Sequence, residues 1–244
     1  IPLSITAKSP YSIDENMWGR SIECGALEDP WNEPPEDAFD ITVAPGKAPD
    51  TAEFVEIAFE KGLPVALNGE AMNGVAMIEA LNKIAGGHGV GRIDMIEDRL
   101  VGFKSREVYE CPAAMTLLAA HRALETMTLD KQVISCKKLL ETKFAELTYE
   151  GYWFSPLMDA IGAFVDETQA YVNGIVRVRL FKGQAVVCGM KSTNAIYKHD
   201  LATYSEGDAF DHNAAVGFIR IWGLPIRTWQ QVHQKQVPIE IPCL

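Results

Sequence analysis

Residues whose side chains could do chemistry are concentrated between Gly86 and Pro112, in the stretch GGHGVGRIDMIEDRLVGFKSREVYECP. Nine charged residues and one tyrosine lie there, between a glycine-rich start and a proline that can begin a helix. Glu97 and Tyr109 fall on the two arms of a predicted hairpin. Turned to the same side, the carboxylate could bind an ammonium group and the phenol could bind another polar end of an amino acid. The alternative is an exposed, salt-bridged hairpin, because charge runs most often form solvated faces.

Several common catalytic motifs are missing from the sequence. There is no GxxxxGK[ST] loop, and GGHGVG neither has GxGxxG spacing nor opens a helix. There is no GxSxG, so a nucleophile-elbow hydrolase is not indicated. The five histidines and five cysteines are scattered, without HxxxH, HxH or CxxC, so no metal site is predicted. Ser12 and Ser21 flank the stretch SIDENMWGRS, but serines alone more often cap helices or form turns.

Composition restricts the class of partner. A net charge of −11 argues against nucleic acid and anionic membranes, because both attract basic surfaces. No apolar run approaches the roughly 20 residues that cross a bilayer. An odd number of cysteines without close pairs suggests reduced thiols, so we expect a cytoplasmic location. The sequence begins with Ile1 rather than Met, and we expect it to be a piece of a longer protein.

Hydrophobic periodicity predicts an α+β fold, with an antiparallel sheet built from hairpins and packed helices. The sequence does not alternate strands with helices, as a parallel sheet would require. The predicted elements follow one another along the chain: a hairpin turning at Lys61–Gly62, a helix over Gly74–Ile84, the charged hairpin, three helices starting at Pro112, Asp130 and Ser155, and a hairpin over Gly174–Cys188.

Three further stretches are less regular. Residues 1–30 are interpreted as a structured loop with one helical turn, and Phe39–Val43 as a short strand after a proline-rich connection. Residues 211–236 are predicted to be helical around a break at Pro225. The final VPIEIPCL is predicted to dock on a neighbour or to fray.

Longer motifs carry a resemblance to a known family. The segments YSIDENMWGRSIECGALEDPW, NGEAMNGVAMIEALNKIAGGHGVGRIDMIEDRLVGFKSREVYECPAA, FAELTYEGYWFSPL and AAVGFIRIWGLP closely resemble argininosuccinate synthases. The resemblance runs in order from Ile1 to about Gln236, and it covers the C-terminal synthetase and multimerisation domain of that family.

The family joins citrulline to aspartate in arginine biosynthesis and the urea cycle. ATP adenylates the citrulline ureido oxygen and releases pyrophosphate, and the aspartate amine then displaces AMP. The resemblance implies that citrulline is bound by Ser12, Ser21, Glu97 and Tyr109. A carboxylate suits the α-ammonium group, and hydroxyls suit the α-carboxylate and nearby polar atoms. These residues are expected to orient the substrate rather than transfer protons, so none is predicted to be catalytic.

Four further residues lie in the same motifs and are expected to support the site or to be structural: Glu23, Arg92, Asp94 and Arg106. The family's SGGxDTS-type pyrophosphate loop is not in this sequence. ATP with Mg²⁺ is therefore expected to bind mainly to an N-terminal nucleotide-binding domain outside the chain. The chain is predicted to hold no cofactor and to be inactive alone.

The resemblance also implies a domain organisation and an assembly. Residues 1–224 are predicted to form the synthetase domain, and residues 225–244 a C-terminal helical arm that reaches a neighbouring subunit of a homotetramer. Citrulline, aspartate and ATP would be the substrates of the complete enzyme. A different function stays open: a non-catalytic assembly or ligand-binding module that is complemented by a separate nucleotide-binding chain.

Overall fold

The computed structural model describes residues 10–203 and 210–233. The chain divides into two compact units between Ile196 and Tyr197. Within the described residues, the first unit contains two antiparallel sheets with packed helices, which confirms the predicted α+β class. The predicted domain boundary between residues 224 and 225 stays a prediction, because it concerns assembly with other subunits.

The strands are numbered in chain order: β1 Ser12–Asn16, β2 Gly19–Glu23, β3 Glu53–Glu60, β4 Leu63–Leu67, β5 Glu70–Ala71, β6 Arg92–Asp98, β7 Lys104–Glu110, β8 Gly174–Phe181 and β9 Gln184–Lys191. The helices are numbered in the same way: α1 Gly74–Gly87, α2 Pro112–Thr128, α3 Lys131–Tyr149, α4 Pro156–Gln169, α5 His199–Ala202, α6 His212–Trp222 and α7 Leu224–His233.

The larger sheet holds the main core. Its strand order is β5-β4-β3-β8-β9, and its inner face packs against α1 and α2. Alternate residues of β3 and β8, Val55, Ile57, Val176 and Val178, are fully buried, as a strand with one covered face requires. The predicted hairpin turn is confirmed, since Lys61 and Gly62 have φ angles of 47° and 76°.

The predicted helix starts are also confirmed. Pro112 occupies the first turn of α2, where its missing N–H is not needed. Asp130 caps α3 by accepting hydrogen bonds from the backbone N–H groups of Gln132 and Val133. Ser155 caps α4 through the N–H of Met158. The helices therefore begin where side-chain acceptors or a proline favour them.

The smaller sheet is built from the charged hairpin and an N-terminal hairpin, in the order β1-β2-β7-β6. The interpretation of residues 1–30 as a loop is wrong for its described part, because β1 and β2 pair from Ser12 to Glu23. Asn16 closes their turn by accepting hydrogen bonds from the N–H groups of Trp18 and Gly19. The predicted helical turn is the 3-10 turn Gly25–Glu28.

The predicted strand Phe39–Val43 is wrong. No described strand pairs with this segment, because the N–H groups of its middle residues bind a side chain instead of a neighbouring strand. The N–H groups of Asp40, Ile41 and Thr42 all donate to the carboxylate of Glu110, at 2.9 to 3.1 Å. The segment is thus held against the small sheet without belonging to it.

The second unit contains the described helices α5, α6 and α7. The predicted helical break is present, but it lies at Gly223 rather than at Pro225. Proline fits the first turn of a new helix, and its ring would clash with the carbonyl four residues earlier if α6 continued. The break therefore precedes the proline by two residues. Residues 234–236 of the helical prediction and the tail VPIEIPCL lie outside the described residues.

Candidate functional site

Alternation along β7 divides its charged side chains between two faces of the small sheet. Ser105, Glu107 and Tyr109 face one side, and the intervening residues face the other. Tyr109 pairs with Ser21 of β2 and with Ile93 of β6, while Ser105 pairs with Glu97. Residues paired across neighbouring strands lie on the same face. We call this side the acidic face; it carries Ser12, Ser21, Glu23, Glu97, Glu107 and Tyr109, with Arg99 at its end.

Tyr109 lies at the centre of the acidic face. Its hydroxyl is in close hydrogen-bonding contact with the carboxylate of Glu97 and lies 3.0 Å from Oε2 of Glu107. Burial raises the pKa of the Tyr109 phenol strongly, and the two adjacent carboxylates raise it further. The phenol therefore keeps its hydrogen and acts as a donor between two acids.

Arg99 joins two of the carboxylates. Its Nη2 lies 2.8 Å from Oε2 of Glu23 and 3.0 Å from Oε1 of Glu107. The charge of Glu107 raises the pKa of Arg99 most, against the opposing effect of burial. Burial also raises the pKa of Glu107, with a further contribution from Glu97, although Tyr109 and Arg99 oppose this rise. With Glu23 and Glu97 present as well, the face can attract an ammonium group.

All four residues predicted to bind citrulline lie on the acidic face. Ser12 is the cross-strand partner of Glu23, and Ser21 is the partner of Tyr109. Ser21 and Tyr109 also line a cavity of about 490 Å³ beside the face. Its other lining residues include apolar side chains of the β1–β2 turn, β6 and α2, namely Trp18, Ile93, Met95, Met115 and Leu118. Polar groups thus lie next to an apolar wall, which suits a molecule with charged ends and an aliphatic middle.

The predicted supporting residues separate into two groups. Glu23 lies on the acidic face, whereas Arg92, Asp94 and Arg106 lie on the opposite face. Arg106 forms a two-point ion pair with Asp94 at 2.7 and 2.8 Å. It also donates to the carbonyl oxygens of Asp29 and Asn32. The hydrogen bonds of Arg106 lower the pKa of Asp94.

Arg92 binds the same segment, residues 25–45, at a second point. It donates to both carboxylate oxygens of Glu36 and to Oγ1 and the carbonyl oxygen of Thr42. Its guanidinium lies 3.7 Å from the ring centre of Phe39, within the range of a cation–π contact. The hydrogen bond from Arg92 lowers the pKa of Glu36. Arg92 and Arg106 therefore hold the segment 25–45 against the back of the sheet.

Sequence reasoning missed Glu107, Arg99 and Glu110. The position of Glu107 two residues before Tyr109 is a usable signal, because alternate strand residues share a face. Arg99 follows the last residue of β6, and no local pattern connects it with Glu23. Glu110 is fully buried and binds Arg20 as well as the 40–42 backbone. No local sequence pattern predicts these contacts, because they join residues about 70 to 90 positions apart.

Residues 10–203 and 210–233 contain neither a metal-binding cluster nor a membrane-spanning helix. No three His, Cys, Asp or Glu side chains in these ranges are grouped so that they could hold a metal ion. None of the helices in the same ranges combines the length and apolar character needed to cross a membrane.

Comparison with known proteins extends the resemblance carried by the motifs. Residues 11–229 match the family described as arginosuccinate synthase C-terminal domain. The argininosuccinate synthase of Halalkalibacterium halodurans is 58% identical over 235 residues, which cover 96% of this chain and 58% of that protein. The Bacillus subtilis argininosuccinate synthase is 56% identical over 236 residues, covering 97% of the chain and 59% of the relative. The chain thus spans less than two thirds of these relatives, and it belongs to the argininosuccinate synthase family through their C-terminal domain.

Proposed function

We propose that the chain is the synthetase domain of an argininosuccinate synthase, an ATP-dependent carbon–nitrogen ligase. The complete cytoplasmic enzyme would join citrulline to aspartate and release AMP and pyrophosphate. In this proposal the chain supplies part of the citrulline site. ATP with Mg²⁺ and most of the aspartate contacts belong to an N-terminal nucleotide-binding domain.

One observation carries the proposal. The four residues to which the family motifs assign citrulline binding, Ser12, Ser21, Glu97 and Tyr109, occupy one face of one sheet. Glu97 and Tyr109 are twelve positions apart in the sequence but in direct contact. The two serines reach the same face from a separate hairpin. A polar substrate can therefore be held from several sides at once.

The chemistry of these groups fits an amino acid. The carboxylate of Glu97 is suited to bind the α-ammonium group, and the two serine hydroxyls are suited to the α-carboxylate. The phenol oxygen of Tyr109 can also accept from a neighbouring N–H group of the substrate. The phenol of Tyr109 keeps its proton, so it is a hydrogen-bond donor and not a general base. The contribution of this chain is orientation: holding citrulline fixed lowers the entropic cost of its reaction with ATP.

The proposal can be tested by titrating citrulline into the complete protein and into this chain alone, with calorimetric detection. We expect binding by the complete protein, and little or none by the chain alone, because only part of the pocket is present. A pyrophosphate-release assay with ATP, citrulline and aspartate should give the same contrast. Turnover by the isolated chain would contradict the assignment of ATP to another domain. Binding without turnover by the complete protein would instead favour a non-catalytic ligand-binding module.

The family resemblance implies a homotetramer with an arm at residues 225–244, and we also propose that α6 contributes to its interface. Large apolar side chains on α6 are more than half exposed within the chain, among them Phe218, Ile219, Ile221 and Trp222. Such a patch is typical of a surface that another subunit covers. Light scattering of the complete protein with Phe218→Asp and Trp222→Asp should show smaller species than the wild type. An unchanged mass would contradict this role.

A further inference from the structure

Tyr109 has one hydroxyl hydrogen and two carboxylate neighbours. Its oxygen contacts Glu97 and lies 3.0 Å from Oε2 of Glu107. A single O–H can direct its hydrogen fully to only one acceptor at a time. The proposed function assigns Glu97 to the ammonium group of citrulline. Glu107 gives the hydroxyl an alternative acceptor when that ligand occupies Glu97.

The burial and the contacts of Glu107 suit it to be that acceptor. Its side chain is nearly buried, with a residue exposure of 6%, so it is poorly placed to bind a ligand itself. Its Oε1 is occupied by Arg99 at 3.0 Å, which leaves Oε2 directed at Tyr109. Arg99 is in turn held by Glu23. Arg99 therefore holds the Glu107 side chain in place, with Oε2 of Glu107 at 3.0 Å from the Tyr109 hydroxyl.

We propose that Glu107 is a positioning residue of the citrulline site, which takes the Tyr109 hydrogen bond when Glu97 binds the ammonium group of the ligand. This inference rests on the proposed function and assigns a role to a residue outside the predicted set. The phenol turns its hydrogen from Glu97 to Glu107, and no proton leaves the oxygen. Glu97 thereby offers a free carboxylate to the cation, while the Tyr109 ring stays in place.

Two substitutions distinguish the hydrogen-bond acceptor of Glu107 from its negative charge. Glu107→Gln and Glu107→Leu both remove the charge that pairs with Arg99, but only glutamine keeps an oxygen that can accept from Tyr109. In the complete protein we expect Glu107→Leu to raise the KM for citrulline roughly tenfold, since a buried hydroxyl loses its acceptor. Glu107→Gln should raise it by less than about threefold. The KM values for ATP and aspartate should change little in both variants.

A double-mutant cycle tests whether Glu107 acts through Tyr109. In a Tyr109→Phe background, both Glu107 substitutions should have little further effect on the KM for citrulline, because the hydroxyl they act on is gone. Asp98→Asn is the matched control: it removes a carboxylate from the same hairpin, and that side chain is 82% exposed beside Lys104. Its kinetics should equal those of the wild type.

Three results would overturn the proposal while leaving the proposed function intact. The glutamine and leucine variants could lose citrulline affinity equally, their effects could persist in the Tyr109→Phe background, or the KM values of all three substrates could rise together. If Glu107→Leu does not fold, Glu107→Ala takes its place in the cycle, because alanine also offers Tyr109 no acceptor. A wild-type complete protein that does not bind citrulline would refute the proposed function instead.

Discussion

The guanidinium of Arg20 donates a 2.7 Å hydrogen bond to the carboxylate of Glu110, which is completely shielded from solvent. The two residues are cross-strand partners of β2 and β7. The same carboxylate accepts the Oγ1 hydroxyl of Thr42 at 2.6 Å and the backbone N–H groups of the 40–42 segment. Glu110 thus joins both hairpins of the small sheet to the connection behind it.

Removal of this carboxylate should destabilise the fold. In Glu110→Ala, Arg20 and several N–H groups stay buried without their acceptor. We expect the free energy of unfolding to fall by about 3–5 kcal/mol, as for other broken buried ion pairs. Urea denaturation followed by circular dichroism measures this change. Glu56→Ala is the control, because its pair with Arg177 is exposed and should contribute less than about 1 kcal/mol. Equal losses in the two variants would contradict the role of Glu110.

Substitution of Glu97 should weaken citrulline binding without unfolding the protein. Glu97→Gln loses the charge that the proposed function assigns to the ammonium group. We expect the affinity of the complete protein for citrulline to fall about a hundredfold, since the lost interaction is between charged groups. Calorimetry measures it, with Asp98→Asn as the neighbouring control on the opposite face. A Glu97→Gln variant that binds as tightly as this control would refute the assignment.

The glycines before the charged hairpin should differ sharply in their tolerance of substitution. Gly91 has a φ angle of +103°, and an added Cβ would lie 2.5 Å from the backbone nitrogen of Pro112. Gly91→Ala should therefore cost about 3 kcal/mol or more through backbone strain and overlap. At Gly87, the last residue of α1, an added Cβ meets nothing within 4 Å. Gly87→Ala should change the unfolding free energy by less than about 1 kcal/mol. Thermal denaturation of both variants checks the contrast, and similar melting temperatures would contradict it.

The back of the sheet should make stability sensitive to acid. Arg106 lowers the pKa of Asp94 in the folded protein below its usual value of 3.8. A carboxyl group with a lowered folded pKa stabilises the protein above its unfolded pKa, and this contribution is lost as the pH falls through the folded pKa. Asp94→Asn should therefore flatten the decline in stability below about pH 4. Glu36→Gln should act in the same direction, because Arg92 lowers the pKa of Glu36. Urea denaturation between pH 2 and 5 tests both; curves parallel to the wild type would count against this explanation.

Local chemistry accounts for the parts of the fold that the sequence predicts well. The starts of α2, α3 and α4 are marked by a proline and two capping side chains, and the turn at Lys61–Gly62 follows from its residue types. The β1–β2 hairpin was harder to predict. Ile22 is fully buried on its covered face, but Ile13 is the only other large apolar residue in the two strands. Its turn is closed by Asn16 without the usual glycine pair. The hydrophobic pattern is therefore too weak to indicate a strand.

The site was predictable as far as its residues lie in one motif or one hairpin. Glu97 and Tyr109 were expected on the two arms of the charged hairpin, and they do face the same side. The roles of Arg99 and Glu110 depend on contacts between separate hairpins and loops. Arg99 meets Glu23 across 76 positions, and Glu110 meets Thr42 across 68. Such contacts become visible only when the strands are paired.

The alternation of side chains along β7 has a consequence for how this strand can evolve. Odd-numbered residues such as Glu107 and Tyr109 face the acidic side, and even-numbered residues such as Arg106 and Glu110 anchor the back. A substitution at one position changes either the acidic face or the contacts at the back of the sheet. Insertion or deletion of a single residue would exchange the two sets, placing an anchoring arginine among the acids and a tyrosine in the anchor. Insertions and deletions are therefore expected only at the ends of this strand. Substitutions within it can occur at single positions, because each affects only one of the two faces.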